Sequence, residues 1–231
     1  MEVQFDFKFS IEPFTVYVFK TGRWKQNSYV IHDTSEAKIF LVDPGGEADK
    51  IINLVNQLSG KVVSISLTHA HHDHVGALKR MCDHFQLNFY MHEGDYKLLR
   101  RAPFYALTFE ARKMEIPLTG QLFFTAENTS TVGQDFKFIH TPGHTIGGVV
   151  IHNEKIAFTG DTLLNKMIGR TDLPGSSLEK LSDSITTFLN SLGDDVMLFP
   201  GHGQPWRVAE AKKWWSANMV NTPEYREEVD E

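Results

Sequence analysis

Cysteine is nearly missing from this chain: Cys82 is the one thiol in 231 residues. An internal disulfide is therefore excluded, and so is a metal centre built on paired thiolates. Runs of positive charge are missing too. Lys and Arg occur singly or in pairs such as Arg100-Arg101, against a formal net charge of -6. A phosphate backbone or an anionic bilayer finds no matching footprint, so neither nucleic acid nor membrane is expected as a partner. No stretch approaches the roughly 18 apolar residues of a membrane span. The opening Met1-Glu2-Val3-Gln4-Phe5-Asp6-Phe7 alternates apolar and polar residues, without the basic start and apolar core of a secretory signal. A cytoplasmic location is the expectation.

What is present reads as an ordinary globular chain, 41% hydrophobic and 23% charged, long enough to bury a sizeable core. Strand signals dominate the start: Phe5, Phe7 and Phe9 alternate with polar neighbours, and residues 14–19 are β-branched and aromatic. Residues 28–31 and 39–42 follow, the latter ending in Asp43-Pro44-Gly45-Gly46. Helical spacing runs from Ala48 to Leu58, a short buried strand from Val62 to Leu67, and a helix from Val75 to Phe85. Residues 94–116 are rich in helix formers, are interrupted by Pro103, and are expected as one or two helices covering the core. The second half repeats the theme. Strands are predicted at 136–139, 148–151, 155–158 and 196–199. Helices are predicted over Leu178–Leu192, capped by Ser176 or Ser177, and over Arg207–Met219. The whole of 1–231 is expected as a single layered α/β domain with a frayed tail at 223–231.

The chemistry concentrates in residues 69–74, His69-Ala70-His71-His72-Asp73-His74, directly after the strand ending at Leu67. Imidazole and carboxylate together suit zinc, iron or manganese. Further ligand-type residues stand at other strand ends beside small residues: Asp43, His144 in Pro142-Gly143-His144, Asp161 in Gly160-Asp161-Thr162, and His202 in Pro200-Gly201-His202-Gly203. Loops on a rigid sheet are where a site is usually carried. His72 stands off this spacing and is expected to be a non-ligand. His32, His84, His92, His140 and His152 are expected as packed or surface histidines. Cys82 is expected as a small core residue, and Trp214-Trp215 as a packing or subunit contact.

In this order, Asp43, the 69–74 cluster, His144, Asp161 and His202 resemble the five motifs of the metallo-β-lactamase superfamily, over most of the chain from about Ser28 to His202. Within it, Gly160-Asp161-Thr162-Leu163 with Gly169-Arg170-Thr171-Asp172-Leu173-Pro174-Gly175 is similar to the compact glyoxalase II-like hydrolases, and also to the persulfide dioxygenases. The resemblance implies a four-layer αββα sandwich and two divalent metal ions, zinc first, with iron or manganese also suited. It implies that His69, His71 and His144 hold one ion and that Asp73, His74 and His202 hold the other. Asp161 would bridge the two, Asp43 would orient an imidazole, and Asp73 would also serve as proton acceptor. The reaction implied is hydrolysis of a small-molecule thioester, such as an S-2-hydroxyacyl-glutathione, by a hydroxide between the metals.

Long glyoxalase II enzymes carry a helical C-terminal domain that binds glutathione, whereas residues 203–231 alone follow His202 here. Lys166, Arg170, Arg207 and Lys212 are the candidates for anion contacts, with Arg170 equally able to pair with Asp172. A mononuclear iron persulfide dioxygenase would use His69, His144 and Asp161. The Pro-Gly-His-Gly turn at 200–203 favours the hydrolase over it. A lactone or phosphodiester hydrolase of this fold, or a non-catalytic metal module, completes the alternatives.

Overall fold

The alternation at the start of the chain becomes a run of antiparallel strands. β1 (Phe7–Ile11) pairs with β2 (Phe14–Thr21), β2 with β3 (Gln26–Asp33), and β3 with β4 (Lys38–Val42). Short turns join them, as antiparallel neighbours permit. The pattern then changes to crossovers. α1 (Ala48–Gln57) leads to β5 (Lys61–Ser66), which lies parallel to β4. α2 (Leu78–Phe85) leads to β6 (Phe89–His92), and α3 (Tyr96–Glu110) to β7 (Gln121–Phe124), each parallel to the strand before it. The sheet is seven-stranded and runs in chain order from β1 to β7.

This computed structural model describes residues 4–124 and 136–219, and the chain divides into two compact units, Met1–Thr125 and Ala126–Glu231. The expected tail at 223–231 lies outside the described residues. The second unit has its own sheet. β8 (Lys137–His140), β9 (Val149–His152) and β10 (Ile156–Gly160) are antiparallel. α4 (Leu178–Ser191) crosses over to β11 (Met197–Pro200), parallel to β10. β12 (Trp206–Arg207) returns antiparallel before α5 (Val208–Asn218).

Each unit packs its helices on one sheet face. In the first, Tyr17, Phe19, Val30, Leu41 and Ile65 meet Ile51 and Val55 of α1, Leu78 and Met81 of α2, and Leu99 of α3. In the second, Val150, Ala157 and Leu198 meet Leu181, Ile185 and Phe188 of α4 and Val208, Ala211 and Trp215 of α5. Removing these side chains from water is the main favourable term holding each unit together. The α/β class expected from the alternating pattern is what forms. Among the described residues no helix is long and apolar enough to cross a membrane.

Three details depart from the pattern reading. α3 runs unbroken through Pro103 and stops at Glu110, leaving 111–116 non-helical. Proline there removes one backbone bond, and burial of Leu99, Ala102 and Ala106 outweighs that loss. α2 starts at Leu78 instead of Val75, because Ala77 N–H donates to Pro44 O at 2.8 Å and holds residues 75–77 in turns. The strands β7 and β12 carry too few residues to announce themselves. The cap of α4 is as expected: Ser177 Oγ accepts from Lys180 N.

Candidate metal centre

In the first unit β5 ends at Ser66, and the chain turns through Leu67 and Thr68 into the histidine cluster. His69, His74 and Asp73 are buried, while His71 is half-buried. The His69 and His71 rings meet edge to face at 4.8 Å, and those of His69 and His74 lie 4.0 Å apart. Asp43 stands at the end of the neighbouring strand β4, with a left-handed φ of 49° and 1% exposure. Its carboxylate accepts from Thr68 N–H at 2.7 Å, from Thr68 Oγ1 at 2.5 Å and from His74 Nδ1 at 2.9 Å. Thr68 Oγ1, its own proton given to Asp43, accepts from His69 Nδ1 at 3.1 Å. One carboxylate thus fixes two imidazoles, one directly and one through a hydroxyl. Both are held with Nδ1 as donor, which leaves Nε2 as the metal-binding lone pair.

The turn after β4 needs glycine for lack of room. A Cβ on Gly45 would run into the Asp73 carbonyl and the Gln26 amide. The same Gln26 donates to Asp43 O at 3.2 Å, so the strand end and the cluster are tied at the backbone as well. Asp95 adds another tie, accepting from Ala70 N–H at 3.1 Å.

In the second unit three strand ends converge. His144 follows β8, Asp161 follows β10, and His202 follows β11, and all three are buried. Asp161 Oδ2 lies 3.7 Å from His144 Nε2 and 3.6 Å from His202 Nε2. The segment at Gly169-Arg170 fastens two of them through its backbone. Gly169 N–H donates to Asp161 O at 2.9 Å, and Arg170 O accepts from His144 Nδ1 at 2.9 Å. No side chain fits at 169, where a Cβ would overlap both the Asp161 carbonyl and the His144 ring. This backbone clasp is the physical content of the Gly-Arg motif. The Arg170 guanidinium itself forks onto Asp172 at 2.7 and 3.0 Å.

These sets fit metal ions. Two ligands each about 2.0–2.1 Å from one tetrahedral ion stand about 3.3–3.4 Å apart. The Nε2-to-carboxylate separations, 3.6 and 3.7 Å at Asp161 and 3.8 Å between His74 and Asp73, are longer than hydrogen bonds and near that edge. One oxygen of Asp161 faces both imidazoles, so the three side chains can point at a common ion. Asp43, His69 and His74 also offer ligand atoms within 4.8 Å of one another. The carboxylate of Asp43 already accepts from three donors, as a group that orients an imidazole does.

Several other histidines make local contacts. His32 bonds to Ser59 O at 3.2 Å, His140 to Ile146 O at 2.9 Å, and His92 accepts from Gly94 N–H at 3.1 Å. Burial holds the His152 imidazole below its usual range. His72 faces Glu110 at 3.0 Å. Trp215 is buried and donates to Thr186 at 3.0 Å, and Trp214 packs on Trp206. Of the anion-contact candidates, Arg170, Arg207 and Lys212 are engaged by Asp172, Asp195 and Asp194. Sequence alone does not mark Thr68 or the Arg170 carbonyl: a threonine at a strand end is commonplace, and a carbonyl has no sequence signature.

Residues 21–202 match the sequence pattern of the Metallo-beta-lactamase superfamily. The chain is 36% identical over 202 residues to a protein named Hydroxyacylglutathione hydrolase GloC from Haemophilus influenzae, covering 86% of this chain and 95% of that one. Among solved structures it is similar to the BLEG-1 B3 metallo-beta-lactamase, with TM-score 0.78 and 28% identity over 90% of this chain and 98% of that one. It is also similar to TTHA1623 in a di-iron-bound form, with TM-score 0.74, 28% identity and the same coverage.

Proposed function

The chain belongs to the metallo-β-lactamase superfamily, and on that premise we propose that it is a metal-dependent thioesterase cleaving an S-2-hydroxyacyl-glutathione or a similar small thioester. One observation carries this reading: the 36% identity to the hydroxyacylglutathione hydrolase extends over 86% of this chain and 95% of that relative. The motif order assigns His69, His71 and His144 to one ion and Asp73, His74 and His202 to a second, with Asp161 shared. Zinc suits this nitrogen-and-oxygen set, and the di-iron form of TTHA1623 keeps iron beside it.

Bound there, a pair of divalent ions supplies Lewis-acid polarisation of a carbonyl and lowers the pKa of water. The chain's own part is positioning. Asp43 and Thr68 hold His69 and His74 in one tautomer, and the Arg170 carbonyl does the same for His144. Asp73 would accept the proton of the attacking water. Overall, water oxygen adds to the acyl carbon, the C–S bond breaks, and the thiol leaves with a proton. No serine, cysteine or lysine nucleophile is needed. Cys82 could not serve, because burial and the neighbouring Asp83 carboxylate push its thiol up to about 12.

The test counts metals per chain by elemental analysis and assays thioester hydrolysis beside oxygen uptake with glutathione persulfide. Two ions with thioester cleavage support the thioesterase; one iron with oxygen uptake overturns it in favour of a dioxygenase. Asp161→Ala is expected to lower metal content and activity together, activity by more than the ~100-fold that loss of an orienting partner costs. Unchanged values for both would reject the shared-carboxylate assignment.

A further inference from the structure

The last turn of α3 is built against its own electrostatics. Glu110, its final residue, brings a carboxylate to a helix C-terminus, where the backbone already presents negative charge. The side chain is buried nonetheless, at 6% exposure. Its Oε1 lies 3.0 Å from His72 Nε2, and its Oε2 accepts from Arg112 Nε at 2.8 Å. Burial pushes this carboxyl up, but the neighbouring His72 and Arg112 outweigh burial and hold it below the usual range. His72 sits between His71 and Asp73. The clamp therefore pins the end of α3 to the loop that carries the metal ligands.

Held beside the clamp is a row of aromatic rings. Phe109 places its ring 6.1 Å from that of His72 at 35°. Tyr105 stacks on Phe109 at 6.1 Å and 15°, and Phe104 meets Tyr105 edge-on at 5.8 Å. Phe104 is 65% exposed and Phe109 52% exposed. Neither ring contributes to a core at that exposure, and burying the Glu110 carboxylate beside them carries a desolvation cost. Rigid aromatic faces continuous with a metal-ligand loop suit an apolar ligand, because they offer wide contact area with little left to order on binding.

We propose that Phe109 and Tyr105 form a binding platform for the apolar part of the acyl group, so that the preferred substrates are thioesters of bulky apolar or aromatic acids. The identity of the reacting bond rests on the thioesterase reading; the platform rests on the clamp and the rings. Glu110 is a positioning residue that keeps the platform in register with the ligand loop.

The experiment measures binding of S-methyl-, S-hexyl- and S-benzylglutathione, thioethers that cannot be hydrolysed, to the metal-loaded protein by calorimetry. In the unaltered protein the affinity is expected to rise about tenfold or more from methyl to hexyl or benzyl, as several methylenes leave water. Phe109→Ala and Tyr105→Ala should each remove most of that rise while leaving the S-methyl affinity within about threefold. Leu118→Ala, which trims another exposed apolar side chain, should keep it. Glu110→Ala should weaken the dependence and Glu110→Gln should restore it; thermal midpoints are recorded for every variant, so that unfolding is recognised. A flat series in the unaltered protein, or an undiminished rise in Phe109→Ala, overturns the platform. So does a dimer that Phe109→Ala dissociates alongside a flat series, which assigns the face to a second copy of the chain. Hydrolysis of the matching thioesters is measured on the same samples: its absence beside length-dependent binding sinks the thioesterase reading and leaves the platform standing.

Discussion

Asp43 combines two demands that few residues meet together. Its backbone is left-handed at φ 49°, a region that aspartate and asparagine tolerate better than other side chains bearing a Cβ. Its carboxylate takes three donors, Thr68 N–H, Thr68 Oγ1 and His74 Nδ1. Asp43→Asn keeps the turn and loses the charge, so metal affinity should fall about 10–100-fold while the metal-free protein melts nearly where it did. Competition with a chelating dye measures the first, and calorimetry the second; an unchanged affinity would remove Asp43 from its orienting role. Cys82 gives a prediction with a pH axis. Burial and the neighbouring Asp83 push its thiol up to about 12, so little thiolate is present at pH 8. Iodoacetamide should label the folded protein at least about 100-fold more slowly than the urea-unfolded one, and faster by about tenfold per pH unit. Equal rates would contradict a thiol held above its usual range.

At the scale of elements, legibility followed length and periodicity. α1, α4 and α5 show apolar residues at helical spacing, and the structure puts their bounds within a residue or two of the pattern. α3 was less legible, because Pro103 is a local signal and the burial that overrides it is a tertiary one. β12, at two residues, is defined by its partner β11 more than by its own composition. The ligand-type residues were legible because metal chemistry restricts residue types severely. The groups that orient them include a threonine hydroxyl and a backbone carbonyl, which it does not restrict. Phe188 tests the packing side. It is fully buried where α4 meets the second sheet, and Phe188→Ala should cost about 3–5 kcal/mol. Urea unfolding followed by circular dichroism should show a lower midpoint at constant slope; an unchanged midpoint would mean that the helix does not depend on this contact.

For the molecule as a whole, metal and stability should be linked. An ion that binds the folded chain and not the unfolded one adds about 2.7 kcal/mol when present at 100 times its dissociation constant. Chelation should therefore lower the thermal midpoint, and zinc or iron should restore it; a midpoint indifferent to chelator would refute a folded-state metal site. The order of the strands has its own consequence, for synthesis. Both sheets run in chain order, β1 to β7 and then β8 to β12, so every strand joins the edge of what already exists and none must be inserted between two paired neighbours. A ribosome can release this protein strand by strand. In the second sheet His202 leaves the ribosome only after β11, so Asp161 and His144 are made before the last ligand-type residue of that sheet.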